Sequence, residues 1–123
     1  MITIQLIVIT LTLHYIGDFI LQSRVMALNK SKDALALSAH VTVYTLVLSP
    51  IGFFLTPINA VTFLVANFIL HYLVDYCTSR VVRYLFATER YYTRLPNIGA
   101  FSIIGFDQLL HLLSLFLTLA ILL

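Results

Sequence analysis

The chain has 123 residues, of which 61% are hydrophobic and 10% charged, and its mean hydropathy is +1.02. A soluble domain carries roughly 25% charged residues, so the composition excludes an ordinary soluble globule and points to one membrane-embedded domain. A net charge of +2 is too small for a nucleic-acid surface. The single cysteine, Cys77, excludes an internal disulfide and is expected as a small core residue near a helix end.

Four apolar segments follow one another, at about 2–22, 34–54, 59–77 and 99–122. Each approaches the ~20 residues a helix needs to cross a hydrocarbon core of ~30 Å. Backbone polar groups must be satisfied inside lipid, so each segment is read as a transmembrane helix rather than a strand. The first lacks a basic leader and a small-residue cleavage site, so Met1 is expected to begin the mature chain. "SRVMALNKSKD" (23–33) and "TSRVVRYLFATERYYTRLPN" (78–97) carry all seven basic residues, whereas the link between the second and third segments carries none. The positive-inside rule then puts loops 23–33 and 78–98 in the cytoplasm of a bacterial inner (plasma) membrane, with both termini outside. In the second loop Val81, Val82, Leu85 and Phe86 alternate with Arg83, Glu89 and Arg90. This predicts a short amphipathic helix lying at the interface or continuing the third segment. The fold expected is therefore an all-α integral membrane bundle of four transmembrane helices, in a single domain spanning 1–123.

The apolar segments contain an anomaly. "HYIGD" places His14 four residues before Asp18, "HYLVD" places His71 before Asp75, and "DQLLH" places Asp107 before His111. His40 stands alone in the second segment, with Tyr44 one turn on. All four histidines and three of the five acids are thus intramembrane. An i, i+4 pair shares a helix face; on that rule His14, Asp18 and Gln22 lie one above another. At 1.5 Å per residue, six of the seven groups fall within about 12 Å of the loop end of their helices, and His111 lies deeper, at about 18 Å. Ionisable groups in lipid are costly and mark function or partnership. Imidazole nitrogens and carboxylate oxygens at one depth are the donor set of a divalent metal, with Zn, Mn or Fe expected as one or two ions. The candidate ligands are His14, Asp18, His40, His71, Asp75, Asp107 and His111. Gln22, Tyr44 and Gln108 are expected to support them through hydrogen bonds. Each His–Asp pair taken alone reads better as a hydrogen-bonded pair that glues helices; three pairs and His40 at one depth turn the reading to metal or catalysis. Gly17 and Gly105 are expected to admit close helix approach.

"LHYIGDFILQS", "NKSKD", "HVTVY", "HYLVDY" and "FDQLLH" together resemble a family of small multi-pass membrane proteins of bacteria and their phages whose function is unknown. Its opening motif is a histidine, three residues, then Asp-Phe-x-Leu-Gln. The resemblance covers nearly the whole chain and implies that His14, Asp18, Gln22, Lys30, His40, His71, Asp75, Asp107 and His111 are motif positions. It implies no activity. A looser similarity is to metal-dependent hydrolases of the inner membrane.

These readings lead to an expected function: metal-dependent hydrolysis of a lipid or lipid-linked phosphoester from the cytoplasmic half of the bilayer. A metal-activated water would be the nucleophile, and Asp75 or Asp18 the catalytic carboxylate. Arg24, Lys30, Arg80 and Arg83 would hold an anionic headgroup. The partners expected are membrane lipids and a lipid-like substrate, with a homo-oligomer allowed and no nucleic acid. Two rivals are a small proton- or ion-coupled transporter, which needs access from both faces, and a phage or host membrane interaction protein whose polar core is only structural.

Overall fold

A computed structural model describes all 123 residues. It is all-helical. Helix α1 (Ile4–Tyr15) continues as a π-helical turn (Ile16–Ile20). Short helix α2 (Arg24–Asn29) lies inside the first basic loop. Helix α3 (Ala34–Leu48) tightens into a 3₁₀ segment (Ser49–Phe54), where Pro50 supplies no N–H for a regular turn. Helices α4 (Pro57–Ala87) and α5 (Ala100–Leu122) complete the chain.

Local chemistry sets the helix starts. Side chains of Thr3, Ser23, Asp33 and Thr56 accept hydrogen bonds from the first free amides of α1 to α4, as N-caps do. Before α5 the Gly99 amide donates to Thr93 Oγ1 at 3.0 Å. A Cβ on Gly99 would stand 2.3 Å from the Tyr92 carbonyl carbon, so only glycine fits that close approach.

Three units, Ala34–Phe54, Pro57–Ala87 and Ala100–Leu122, are long and apolar enough to cross a membrane, and Ile4–Ile20 is a shorter apolar helix. The bundle is polar within and apolar without. On α4, Phe63, Asn67, His71, Asp75 and Thr78 are buried while Val61, Val65, Ile69 and Leu73 are exposed. On α5, Asp107, His111, Leu115 and Leu119 are buried while Leu109, Leu113, Leu117 and Ile121 are exposed. A water-facing surface would not carry such stripes. They suit lipid contact.

The buried positions form four ladders with a step of four, or nearly so: 6-10-14-18, 37-40/41-44-48, 63-67-71-75 and 107-111-115-119. In each ladder the histidines and aspartates lie toward the basic loops, and the other end is mostly apolar, with Thr10 and Asn67 as its polar members. The four helices run alternately up and down, so the polar halves coincide. The apolar halves close into a core of Leu6, Tyr44, Leu48, Ile51, Phe63, Leu115 and Leu119.

Three features differ from the sequence expectation. The third segment does not stop near residue 77; α4 runs on to Ala87, because nothing from 78 to 87 breaks a helix and Leu85 returns to the buried face. The amphipathic stretch expected at the interface is this extension. Cys77 consequently sits mid-helix, off the inner face, and is exposed. The first basic loop also holds a short helix, α2, where only a loop is expected from its sequence.

Candidate metal centre

Asp18 is positioned by an irregularity. Within Ile16–Ile20 the hydrogen bonds widen, Leu21 N donating to Ile16 O at 2.9 Å. Such π turns recur at functional sites. Here the turn separates His14 from Asp18, which do not touch despite their i, i+4 spacing. It also ends the helix before Gln22, so the expected three-residue face does not form. Gln22 Nε2 donates back to Asp18 O at 3.2 Å, and Gln22 borders a pocket. Gly17 lies at the same turn. A Cβ there would stand 3.0 Å from Tyr44 Cδ2 and 3.3 Å from Tyr44 Cα, so glycine lets Tyr44 approach the chain. Gly105, by contrast, faces open space and brings no helix closer.

Four buried residues from three segments converge. His40 Nε2 stands 3.1 Å from Asp18 Oδ1 and 3.3 Å from Asp75 Oδ2. His71 Nε2 stands 3.5 Å from each of the same two oxygens, and the two imidazole nitrogens are 3.2 Å apart. The carboxylate oxygens lie within 4.8 Å of each other. Ligand atoms about 2.0–2.2 Å from a tetrahedral zinc stand roughly 3.3–3.5 Å apart. The five spacings of 3.1–3.5 Å are close to those of such a ligand shell, the shorter two also being hydrogen-bond distances. A second group, Asp18, Asp107 and His111, adjoins it. His111 Nε2 lies 3.2 Å from Asp75 Oδ1 and 3.3 Å from Asp107 Oδ2. Asp18 belongs to both groups, and Asp75 Oδ1 reaches the second through His111.

His111, expected as the deep outlier, is a full member. The correction follows from α4: Asp75 lies 12 residues before its end, or about 18 Å at 1.5 Å per residue. It is therefore as deep as His111 rather than closest to the interface.

A directed hydrogen-bond chain supports the carboxylates. Gln108 Nε2 donates to Asp18 Oδ2 at 2.8 Å and to Asp107 Oδ2 at 3.1 Å. Two carboxylates can only accept, which fixes the amide with its oxygen toward His14. His14 Nε2 lies 2.8 Å from that oxygen and His14 Nδ1 3.0 Å from Tyr44 OH. Tyrosine therefore donates to Nδ1, and Nε2–H donates to the amide. His14 is thereby placed outside both converging groups, with each ring nitrogen engaged; it orients Gln108. Tyr44 also stacks on His71 with centroids 3.9 Å apart, and His71 stacks on His111 at 3.9 Å. Nδ1 of His40 and of His71 has no protein partner.

Two residues escaped sequence reasoning. Thr78 donates to Asp107 Oδ1; its signal was the spacing 71-75-78 along one face. Lys32 borders the pocket beside the centre, and nothing in its loop set it apart. Of the four basic residues expected to hold a headgroup, Lys30 and Arg83 border that pocket. Arg80 instead folds over the Tyr76 ring at 3.5 Å and donates to Tyr76 O, and Arg24 is exposed away from it. The pocket, of about 470 Å³, is framed by Phe19, Leu28, Val82, Phe86 and Ile104, with Asp18, Asp107 and Gln108 at its floor.

Fold and site define a small helical membrane protein with a buried histidine–aspartate centre that could hold a metal ion. The family described as "Protein of unknown function (DUF3307)" matches residues 6–123, and the chain belongs to it. No curated protein and no solved structure matches the chain.

Proposed function

We propose that the protein is an intramembrane metal-dependent hydrolase acting on a lipid or lipid-linked phosphoester. The observation that carries this reading is the convergence of Asp18, His40, His71 and Asp75 at ligand spacing. Asp18, Asp75 and Asp107 bring three negative charges and Lys30 one positive, and the buried remainder is answered by protons on the imidazoles or by a bound cation. Asp18, His40, His71 and Asp75 would hold one divalent ion; Asp107 and His111, sharing Asp18, would hold a second. A bound ion of this kind polarises a phosphoryl oxygen and activates water. The chain's own residues do the rest. Gln108, oriented by His14, bridges Asp18 and Asp107 at the pocket floor. With a single ion in the first group, Asp107, bordering the pocket and steadied by Thr78, is left to take a proton there. This role falls to Asp107 rather than to Asp75, whose two oxygens face Lys30 and three imidazoles. The apolar frame of the pocket accepts a chain, and Lys30 and Arg83 accept an anion.

The pocket adjoins the centre on the basic-loop side, while apolar side chains seal the other end. By the positive-inside rule we place the basic end in the cytoplasm, with the membrane that of a bacterium. The test is elemental mass spectrometry on protein purified in mild detergent, beside the Asp18→Asn/His71→Ala double variant. The expected result is one or two equivalents of zinc, manganese or iron, lost in the variant. A phosphoester-lipid hydrolysis assay follows, with activity removed by chelator and restored by metal. Metal-free protein that stays folded and ignores chelator would overturn the proposal.

A further inference from the structure

Lys30 donates to Asp75 Oδ2 at 2.9 Å, the same oxygen that lies 3.3 Å from His40 Nε2 and 3.5 Å from His71 Nε2. The one ammonium in the buried cluster thus sits on an oxygen that an ion in that ligand shell would take. A carboxylate oxygen shared between an ammonium and a divalent ion leaves two cations at contact distance, in a medium that screens little. They cannot both keep it cheaply. Lys30 has somewhere to go. Its side chain is 18% exposed, and it borders the pocket together with Arg83 and Lys32. Its loop is held down independently of the ammonium: Arg83 Nη1 donates to the carbonyl of buried Ser31 at 3.1 Å, and the amides of Lys32 and Asp33 both donate to Asn29 O at 2.8 Å. The side chain can therefore swing while the backbone stays.

We propose that Lys30 is an exchangeable counter-ion: a divalent metal displaces its ammonium from Asp75 into the pocket, where it completes, with Arg83, the site for the anionic group of the substrate. Lys30 is thus a positioning residue that ties anion binding to metal loading. A protein carrying metal presents Lys30 to an anion beside Arg83 and Lys32, and a protein without it presents only the latter two. The inference rests on the metal reading above, and its test separates the two.

The full chain in detergent is treated with an amine-acylating reagent, with and without saturating zinc, and labelling of Lys30 is read by mass spectrometry relative to exposed Lys32. In parallel, zinc affinity is measured by chelator competition for the native protein and for Lys30→Met, which keeps the side chain's length and removes its charge. Zinc should raise Lys30 labelling severalfold toward that of Lys32, and Lys30→Met should bind zinc roughly tenfold tighter or more. Stoichiometric zinc with unchanged Lys30 labelling overturns the exchange while leaving the metal reading intact. Equal or weaker zinc binding by a folded Lys30→Met does the same. Absence of zinc binding to the native protein overturns both. Should Lys30→Met fail to fold, the labelling of the native chain decides alone.

Discussion

Asp75→Asn isolates the hub of the polar centre. The amide keeps the outline of the carboxylate, so no cavity opens. It offers one acceptor oxygen where the carboxylate offers two. In the native protein Oδ2 accepts from Lys30 at 2.9 Å and Oδ1 faces His111 Nε2 at 3.2 Å. Whichever way the amide turns, its NH₂ meets either the ammonium or His111. Stripping a fully buried ion of its partner costs about 3–5 kcal/mol. Lys30 borders the pocket and can reach solvent, which lowers the expected loss to about 2–3 kcal/mol. The assay is reversible unfolding in mixed micelles under chelator, so that no ion contributes. Lys30→Met and the double variant complete a cycle. Most of the loss should vanish when Lys30 is already methionine, giving a coupling of about 2 kcal/mol. Single changes that add to within about 0.5 kcal/mol would refute the argument, because Lys30 and Asp75 would then not depend on one another.

Gly17→Ala drives a methyl against Tyr44, at 3.0 Å from its ring; stability should fall by about 1–3 kcal/mol in the same unfolding assay. Zinc affinity should fall with it, since Tyr44 stacks on His71, whereas Gly105→Ala, into open space within α5, should leave zinc affinity unchanged and raise stability by up to about 1 kcal/mol. Thr78→Val removes the donor to Asp107 without changing shape and should cost about 1–3 kcal/mol; Thr78→Ser should restore the native unfolding midpoint.

The fold class was legible because the hydropathy of whole segments sets it. Alternation of basic and uncharged links gave the order of the helices, and the His–Asp spacing gave most of the centre. What stayed hidden depends on geometry that spacing does not carry. "HYIGD" and "HYLVD" look equivalent, yet the π turn at Ile16–Ile20 splits the first pair and not the second; His14 ends up on Gln108 instead of beside Asp18. His111 looked too deep only because the end of α4 was placed near Cys77, before residues that continue the helix as readily as they could lie on a membrane surface. Lys30 and Arg24 sit in the same basic loop with the same apparent role. Only the fold of α2 and its flanks turns Lys30 inward onto Asp75 and leaves Arg24 out.

The four-step ladders bear on how the chain enters a bilayer. A charged side chain at the middle of a lone inserting helix costs about 2.5–3.5 kcal/mol, and none of α1, α3, α4 and α5 is free of polar groups. Neighbours in the chain answer each other: Asp18 of the π turn meets His40 of α3, and Asp75 and Thr78 of α4 meet His111 and Asp107 of α5. Each half of the protein, before and after the uncharged turn at Leu55–Thr56, can thus leave the insertion machinery as a hairpin with its main polar groups matched. The ligand set then divides evenly, Asp18 and His40 from one hairpin and His71 and Asp75 from the other. An ion held by all four would be a rivet between two separately inserted halves, so that assembly of the protein and loading of its centre become one event.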